Sequence, residues 1–175
     1  MKKSTVRGFT IVELLIVVVV IAVLAAITTV AYNGIQKRAR DGQRKQDIAA
    51  IQKALEMYYI DNNEYPPGSG STSINGSWST TADGSWANLE TELKPYLSKL
   101  PADPISTPNQ PLSGTTGYNY SYFADQAGTY CSTTRGQVYI LNYHLENETS
   151  VQTMDACPAG NTVGPYSGNT IRRVK

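Results

Sequence analysis

Fourteen consecutive residues without one polar side chain, Leu14 to Ile27, follow directly on a glutamate, Glu13. A run of this kind is poorly suited to water, whereas an α-helix in a bilayer satisfies all of its own backbone groups. From Phe9 to Tyr32 such a helix would rise roughly 36 Å at about 1.5 Å per residue. That is enough to cross a hydrocarbon core of about 30 Å. Glu13 is the anomaly. An ionised carboxylate in hydrocarbon costs about 2.5–3.5 kcal/mol even on lenient insertion scales, so an acid at this depth points to function and needs a partner. Cutting the chain after Gly8 would create one, the α-amine of Phe9. The segment Met1-Lys2-Lys3-Ser4-Thr5-Val6-Arg7-Gly8 is basic and ends in Gly, so a peptidase could remove it and leave the apolar run intact.

A basic leader ending in Gly8, the aromatic Phe9 next, and Glu13 at the fifth position counted from Phe9 together resemble the class III signal of type IV pilins and pseudopilins. The resemblance implies cleavage between Gly8 and Phe9 by a prepilin peptidase, N-methylation of Phe9, a role for Glu13 in filament assembly, and a cytoplasmic N-terminus. Two other readings fit part of the segment. One is an ordinary secretory signal cut after Ala25, with Val23-Leu24-Ala25 as its small-residue site; the other is a plain signal anchor. Glu13 argues against secretion, since a secretory signal has no use for a charge in its apolar core. Flanking charge conflicts with a cytoplasmic N-terminus. Lys2, Lys3 and Arg7 precede the run, but Lys37, Arg38, Arg40, Arg44 and Lys45 follow it, and the positive-inside rule favours the opposite end or neither.

Beyond the span the helical pattern continues. Ile48, Ile51, Leu55 and Tyr58 recur at spacings of three, four and three, which lines one helix face. Ala50 and Ala54 widen that stripe, while Arg44, Lys45, Asp47, Lys53 and Glu56 largely lie off it. No proline interrupts the chain before Pro66. Many type IV pilins carry a proline in the membrane half of this helix; Val30 stands about where it would fall. Asp61 to Gly68 ends the helix, because a pre-proline residue avoids the α region. Residues 68–85, rich in Gly, Ser, Thr and Asn, read as a long exposed loop anchored by Trp78 and Trp86. Trp86, Leu89 and Leu93 predict a short amphipathic helix, followed by a rigid turn at Leu100-Pro101-Ala102-Asp103-Pro104. That Leu-Pro-x-Asp-Pro element also resembles the major pseudopilin of type II secretion. The expected segments are a leader (1–8), a membrane or filament-core helix (9–32), its amphipathic continuation (33–60) and an extracytoplasmic head (61–175).

The last third reads as strands. Tyr118, Tyr120 and Tyr122 alternate with Asn119 and Ser121. Gln137 to Leu145 puts Tyr139, Leu141, Tyr143 and Leu145 on one face and Val138 and Ile140 on the other. Thr170 to Val174 would add an edge strand, and Arg172, Arg173 and Lys175 a solvated basic end. The lone histidine, His144, reads as a surface residue. Cys131 and Cys157, the two cysteines, both follow the span. An even pair in an oxidising compartment forms a disulfide as a rule, and the resemblance implies a bond closing the C-terminal region; a metal pair would need further ligands.

Charge and motif exclude much. Residues 61–175 hold ten acids against six bases, which disfavours nucleic-acid binding through basic patches. With one histidine, no nucleophile elbow, no phosphate loop and no metal-ligand spacing, no catalytic site, cofactor or metal is expected. Asp103 and Asp125 are too few acids for a calcium site. The expected fold is α+β, a long N-terminal helix packed on a small antiparallel sheet, as in type IV pilins. The resemblance implies a structural subunit and no enzyme. It would be processed, held as a single-pass protein of the cytoplasmic membrane, then polymerised at the cell surface with copies of itself and related pilins. An assembly platform and its ATPase would drive that step. A pseudopilin of type II secretion and a monomeric membrane-anchored binding protein are the alternatives; the cysteine pair and the Ser/Gly-rich loop favour a surface pilus.

Overall fold

The computed structural model describes residues 8–107, 112 and 117–175, with the side chains of residues 29–31 set aside. The leader residues 1–7 lie outside the described residues, and of that segment only Gly8 is placed. The elements are α1 (Ile11–Asn62), β1 (Trp78–Thr80), α2 (Trp86–Leu93), β2 (Ser121–Ala124), β3 (Val138–Tyr143), β4 (Gln152–Met154) and β5 (Asn169–Val174). The chain divides into two compact units, one ending at Ala39 and the other running from Arg40 to Lys175.

In the second unit five strands form one sheet in the order β1-β2-β3-β5-β4. The first three pairings are antiparallel, as expected. The last is not: β4 runs parallel to β5, so the α+β head carries a mixed sheet. Residues 155–168 between them supply the crossover of a dozen or more residues that a parallel pair needs. Strand β5, expected at an edge, lies between β3 and β4.

Period-two alternation gives the sheet two packed faces. Tyr122, Tyr139, Leu141 and Ile171 join Ile48, Ile51, Ala54 and Leu55 of α1 and Trp86, Leu89 and Leu93 of α2 in the larger core. Trp78, Phe123, Val138 and Ile140 face the other way and form a smaller core with Cys131 and Val163. Burying each large apolar side chain in the first layer stabilises the unit by about 1.5–3 kcal/mol.

Several expectations shift. The tyrosine strand begins later, at Ser121, with Tyr118 and Tyr120 in the segment leading into it. Residues 68–85 are not simply an exposed loop, because β1 lies within them and Asp83 ties their turns together. Its carboxylate accepts from the Ser71 hydroxyl and from the Thr72, Ser73 and Ser85 amides at 2.9–3.0 Å. Burial would raise this carboxyl, but the serine hydrogen bonds hold it far below the usual range. His144 is buried at 6% exposure, against Gly168, where φ is +84° and a Cβ would stand 2.6 Å from Nε2. The basic end is woven into the sheet. The Arg172 guanidinium donates to the Asp155 and Val163 carbonyls, Arg173 pairs with Asp155 and Lys175 with Glu56.

Candidate functional site

In the first unit the described chain begins at Gly8 and turns helical at Ile11. Thr10 caps it. Its Oγ1 accepts the Glu13 amide at 3.2 Å, and the Glu13 carboxylate accepts the Thr10 amide and hydroxyl at 2.8 Å each. This reciprocal capping box satisfies amide donors that a helix start leaves free. Sequence reasoning weighed Glu13 as a charge seeking an amine and missed the neighbour three residues back; Thr-x-x-Glu was the available signal. Among the described residues the acid is thus held on Thr10. Past it, every large apolar side chain from Leu14 to Ile27 is half or more exposed. A window of this helix reaches a mean hydropathy of 3.1 and is long and apolar enough to cross a membrane. Thr28 turns its hydroxyl back to the Leu24 carbonyl at 2.7 Å, which keeps that donor paired without water.

In the second unit the buried face of α1 opens on charge. Arg44 is fully buried. It lies four residues before Ile48 and so continues the apolar stripe by one turn, contrary to the expectation that it sits off that face; the spacing showed this and the polarity hid it. Its guanidinium forks onto Asp103 at 2.7 and 3.1 Å. It also donates to Asp41 at 2.9 Å and Glu146 at 2.8 Å and covers the Tyr118 ring at 4.7 Å. Arg40 adds a two-pronged contact to Glu146 at 2.7 Å, and Asp41 accepts the Glu146 and Asn147 amides. Two guanidiniums thus face three carboxylates. Burial works against charge on Arg44, yet the hydrogen bonds it donates to Asp103 and Glu146 raise its pKa above the usual value. The Arg40 hydrogen bond is the largest influence on Glu146, and its carboxyl falls to about 2.

This cluster explains two earlier puzzles. Asp103 is the acid of the Leu-Pro-x-Asp-Pro turn, and the rest of the turn is equally occupied: Leu100 enters the core and the Pro101 carbonyl accepts the Trp86 indole N–H at 2.9 Å. The basic excess after the apolar run is also largely neutralised at home, since Arg40 and Arg44 pair as above and Lys45 pairs with Glu148. On the sheet's other face Cys131 and Cys157 form a disulfide, with Cα atoms 4.5 Å apart. Among the described residues no three His, Cys, Asp or Glu side chains gather as a metal site. Asp103 is committed to Arg44, and Asp125 to the Ala127 and Tyr130 amides and the Thr129 hydroxyl.

An exposed apolar helix with a capped start, joined in sequence to a small α+β head, defines the pilin-like class. The prokaryotic N-terminal methylation motif matches residues 3–29, and the type II secretion system protein G profile matches residues 32–127. The chain belongs to the type II secretion system protein G family. It is 31% identical over 115 residues to the type II secretion system core protein G of Aeromonas hydrophila, covering 65% of this chain and 77% of that one. Against the core protein G of Escherichia coli K12 identity is 36% over 99 residues, 56% of this chain and 66% of the relative. Against that of Pseudomonas aeruginosa it is 34% over 119 residues, 67% and 81%. No solved structure gives a significant match. Of the readings weighed from sequence, these likenesses favour the secretion pseudopilin over the surface pilus. The family profile stops short of β3, β4, β5 and the disulfide.

Proposed function

We propose that this protein is a pseudopilin-type structural subunit of a type II secretion system and not an enzyme. The protein G match across residues 32–127 carries this reading. The leader is cut between Gly8 and Phe9, Phe9 is N-methylated, and the shortened chain waits in the cytoplasmic membrane with its head on the far side. It then polymerises with copies of itself and related pseudopilins, driven by an assembly platform and its ATPase. Supporting this, the methylation motif covers the segment and the large apolar side chains of the Leu14–Ile27 run of α1 are exposed in the described subunit. The Thr10 cap presents the Glu13 carboxylate beside the position where cleavage creates an amine, and pairing the two across subunits offsets part of the cost of each in hydrocarbon.

Glu13→Gln and Glu13→Leu test the assembly role. Both variants are expected to be cleaved and to accumulate in the membrane, yet to be missing from sheared filaments. Normal filament yield from both would remove Glu13 as the assembly determinant. A bulky residue in place of Gly8 should leave the full-length form in the membrane, and N-terminal sequencing that began at Ala26 would instead establish ordinary secretion. A second reading, a filament displayed at the cell surface, draws on the disulfide-closed region past the family match. Deleting the gene separates the two: the pseudopilin reading expects secreted proteins to be retained, the surface reading expects loss of surface filaments with secretion intact.

A further inference from the structure

Asparagine is followed directly by glycine twice in the chain, at Asn33-Gly34 and at Asn75-Gly76. Such a step can lose its side-chain amide without an enzyme. The glycine nitrogen attacks the asparagine carboxamide carbon, and a glycine has no Cβ to crowd the approach. The fold treats the two steps differently. Asn33 and Gly34 lie inside α1, where the Gly34 amide donates to the carbonyl four residues back and is not free to attack. Asn75, Gly76 and Ser77 lie in the turn leading into β1, and all three are exposed. This turn is closed through its carbonyls: the Trp78 amide donates to Asn75 and the Gly70 amide to Gly76, at 3.0 Å each. The Gly76 amide is left to water, with no acceptor among the described residues. The Ser77 amide donates to the Asn75 Oδ1 at 3.0 Å, which folds the carboxamide back along the Gly76 peptide.

We propose that Asn75 is a modification site of the head, deamidated by its own backbone with water as the only co-reactant. Hydroxide takes the Gly76 amide proton, and the nitrogen forms a bond to the Asn75 Cγ. The oxyanion that develops on Oδ1 already faces the Ser77 N–H, a donor placed where the charge appears. Breaking the Cγ–Nδ2 bond releases ammonia, its extra proton coming from water, and leaves a five-membered succinimide. Water then opens that ring at either carbonyl, giving aspartate or isoaspartate; nothing is oxidised or reduced. Residues 68–82 contain no Asp, Glu, Lys or Arg, so the product puts the first charge on this segment. It arrives beside β1, the edge strand of the sheet, where charge discourages pairing with other chains. The proposal is independent of the filament role, since every residue that reacts lies in the head.

Asn33 serves as the internal control. The full chain in detergent is incubated at neutral and at mildly alkaline pH, folded and in denaturant. It is then digested at mildly acidic pH, so that handling adds no conversion, and its peptides are mapped by mass spectrometry with electron-transfer fragmentation, which tells isoaspartate from aspartate. In the folded chain Asn75 should convert to both products, faster at the higher pH, while Asn33 keeps its amide. In denaturant the helix no longer protects Asn33, and the two steps should convert at similar rates. Gly76→Ala restores the obstructing Cβ at a position where it meets nothing within 4 Å. It should slow conversion at Asn75 severalfold with the melting temperature unchanged. The proposal falls if folded Asn75 stays intact through an incubation that converts the denatured chain, or if Asn33 converts as fast as Asn75 in the folded one. It also falls if Gly76→Ala converts at the wild-type rate, or if aspartate forms without isoaspartate.

Discussion

Leu24 and Leu55 are the same side chain on the same helix, yet Leu24 is 59% exposed and Leu55 is fully buried. Around Leu24 the helix is apolar on every side, and a helix apolar all round needs an apolar surrounding. Around Leu55 the apolar residues form a stripe, and the other positions carry Lys53, Glu56 and Gln52. A stripe needs one partner surface, and the sheet supplies it. The contrast separates two uses of hydrophobicity: one part of α1 folds against its own chain, the other meets lipid or further subunits.

The sharpest way to break this division is at Arg44. Arg44→Ala leaves Asp103 buried without its cation, and removing one partner of a buried pair costs about 3–5 kcal/mol. Thermal unfolding of the full chain in detergent should show that loss, while leader cleavage and membrane retention stay normal. Next in size is a matched pair of truncations. Leu55→Ala should cost about 2–5 kcal/mol, and Leu24→Ala should leave the head's stability within about 0.5 kcal/mol. Equal losses from the two would show that the apolar segment packs on the head. Replacing Cys131 and Cys157 by serine should lower stability by about 2–4 kcal/mol and leave membrane insertion untouched, read by comparing melting under oxidising and reducing conditions.

The smallest effect is with pH. The Glu146 carboxyl is depressed on folding from its ordinary 4.5 to about 2, chiefly by Arg40. As pH falls below the ordinary value the unfolded chain takes up the proton first. This contribution is therefore complete above about pH 4.5 and disappears toward about pH 2. Glu146→Gln should flatten that part of a melting-temperature profile; an unchanged profile would mean that other carboxylates carry the acid sensitivity.

Much of this arrangement was legible in the residues. The Ile48-Ile51-Leu55-Tyr58 stripe, the Trp86-Leu89-Leu93 helix and the two-faced strand around Tyr139 and Ile140 all follow from local period, and local period is what a sequence displays. What stayed hidden depended on distant partners. Arg44 is buried only because Asp103 arrives 59 positions later, and polarity alone argues for water. Strand β1 has three residues, too few for alternation to register among serines and glycines. His144 is covered because Gly168 lets the backbone approach its ring. The exposed apolar run was readable at once, since its surroundings lie outside the chain and only its composition had to be judged. The capping box was missed for a different reason: a charge in an apolar setting drew attention to absent amines and away from Thr10.

Strand order has a consequence for when the head can become whole. Strands β1, β2 and β3 can pair in the order in which they emerge. Strand β4 cannot, because its neighbour in the sheet is β5, which follows it in the chain and inserts between it and β3. Two of the four ladders thus wait on the six residues Asn169–Val174. A chain still being synthesised, or clipped before that strand, presents a half-built sheet with open edges that other chains can join. Completion works as a keystone, and synthesis delivers the keystone last.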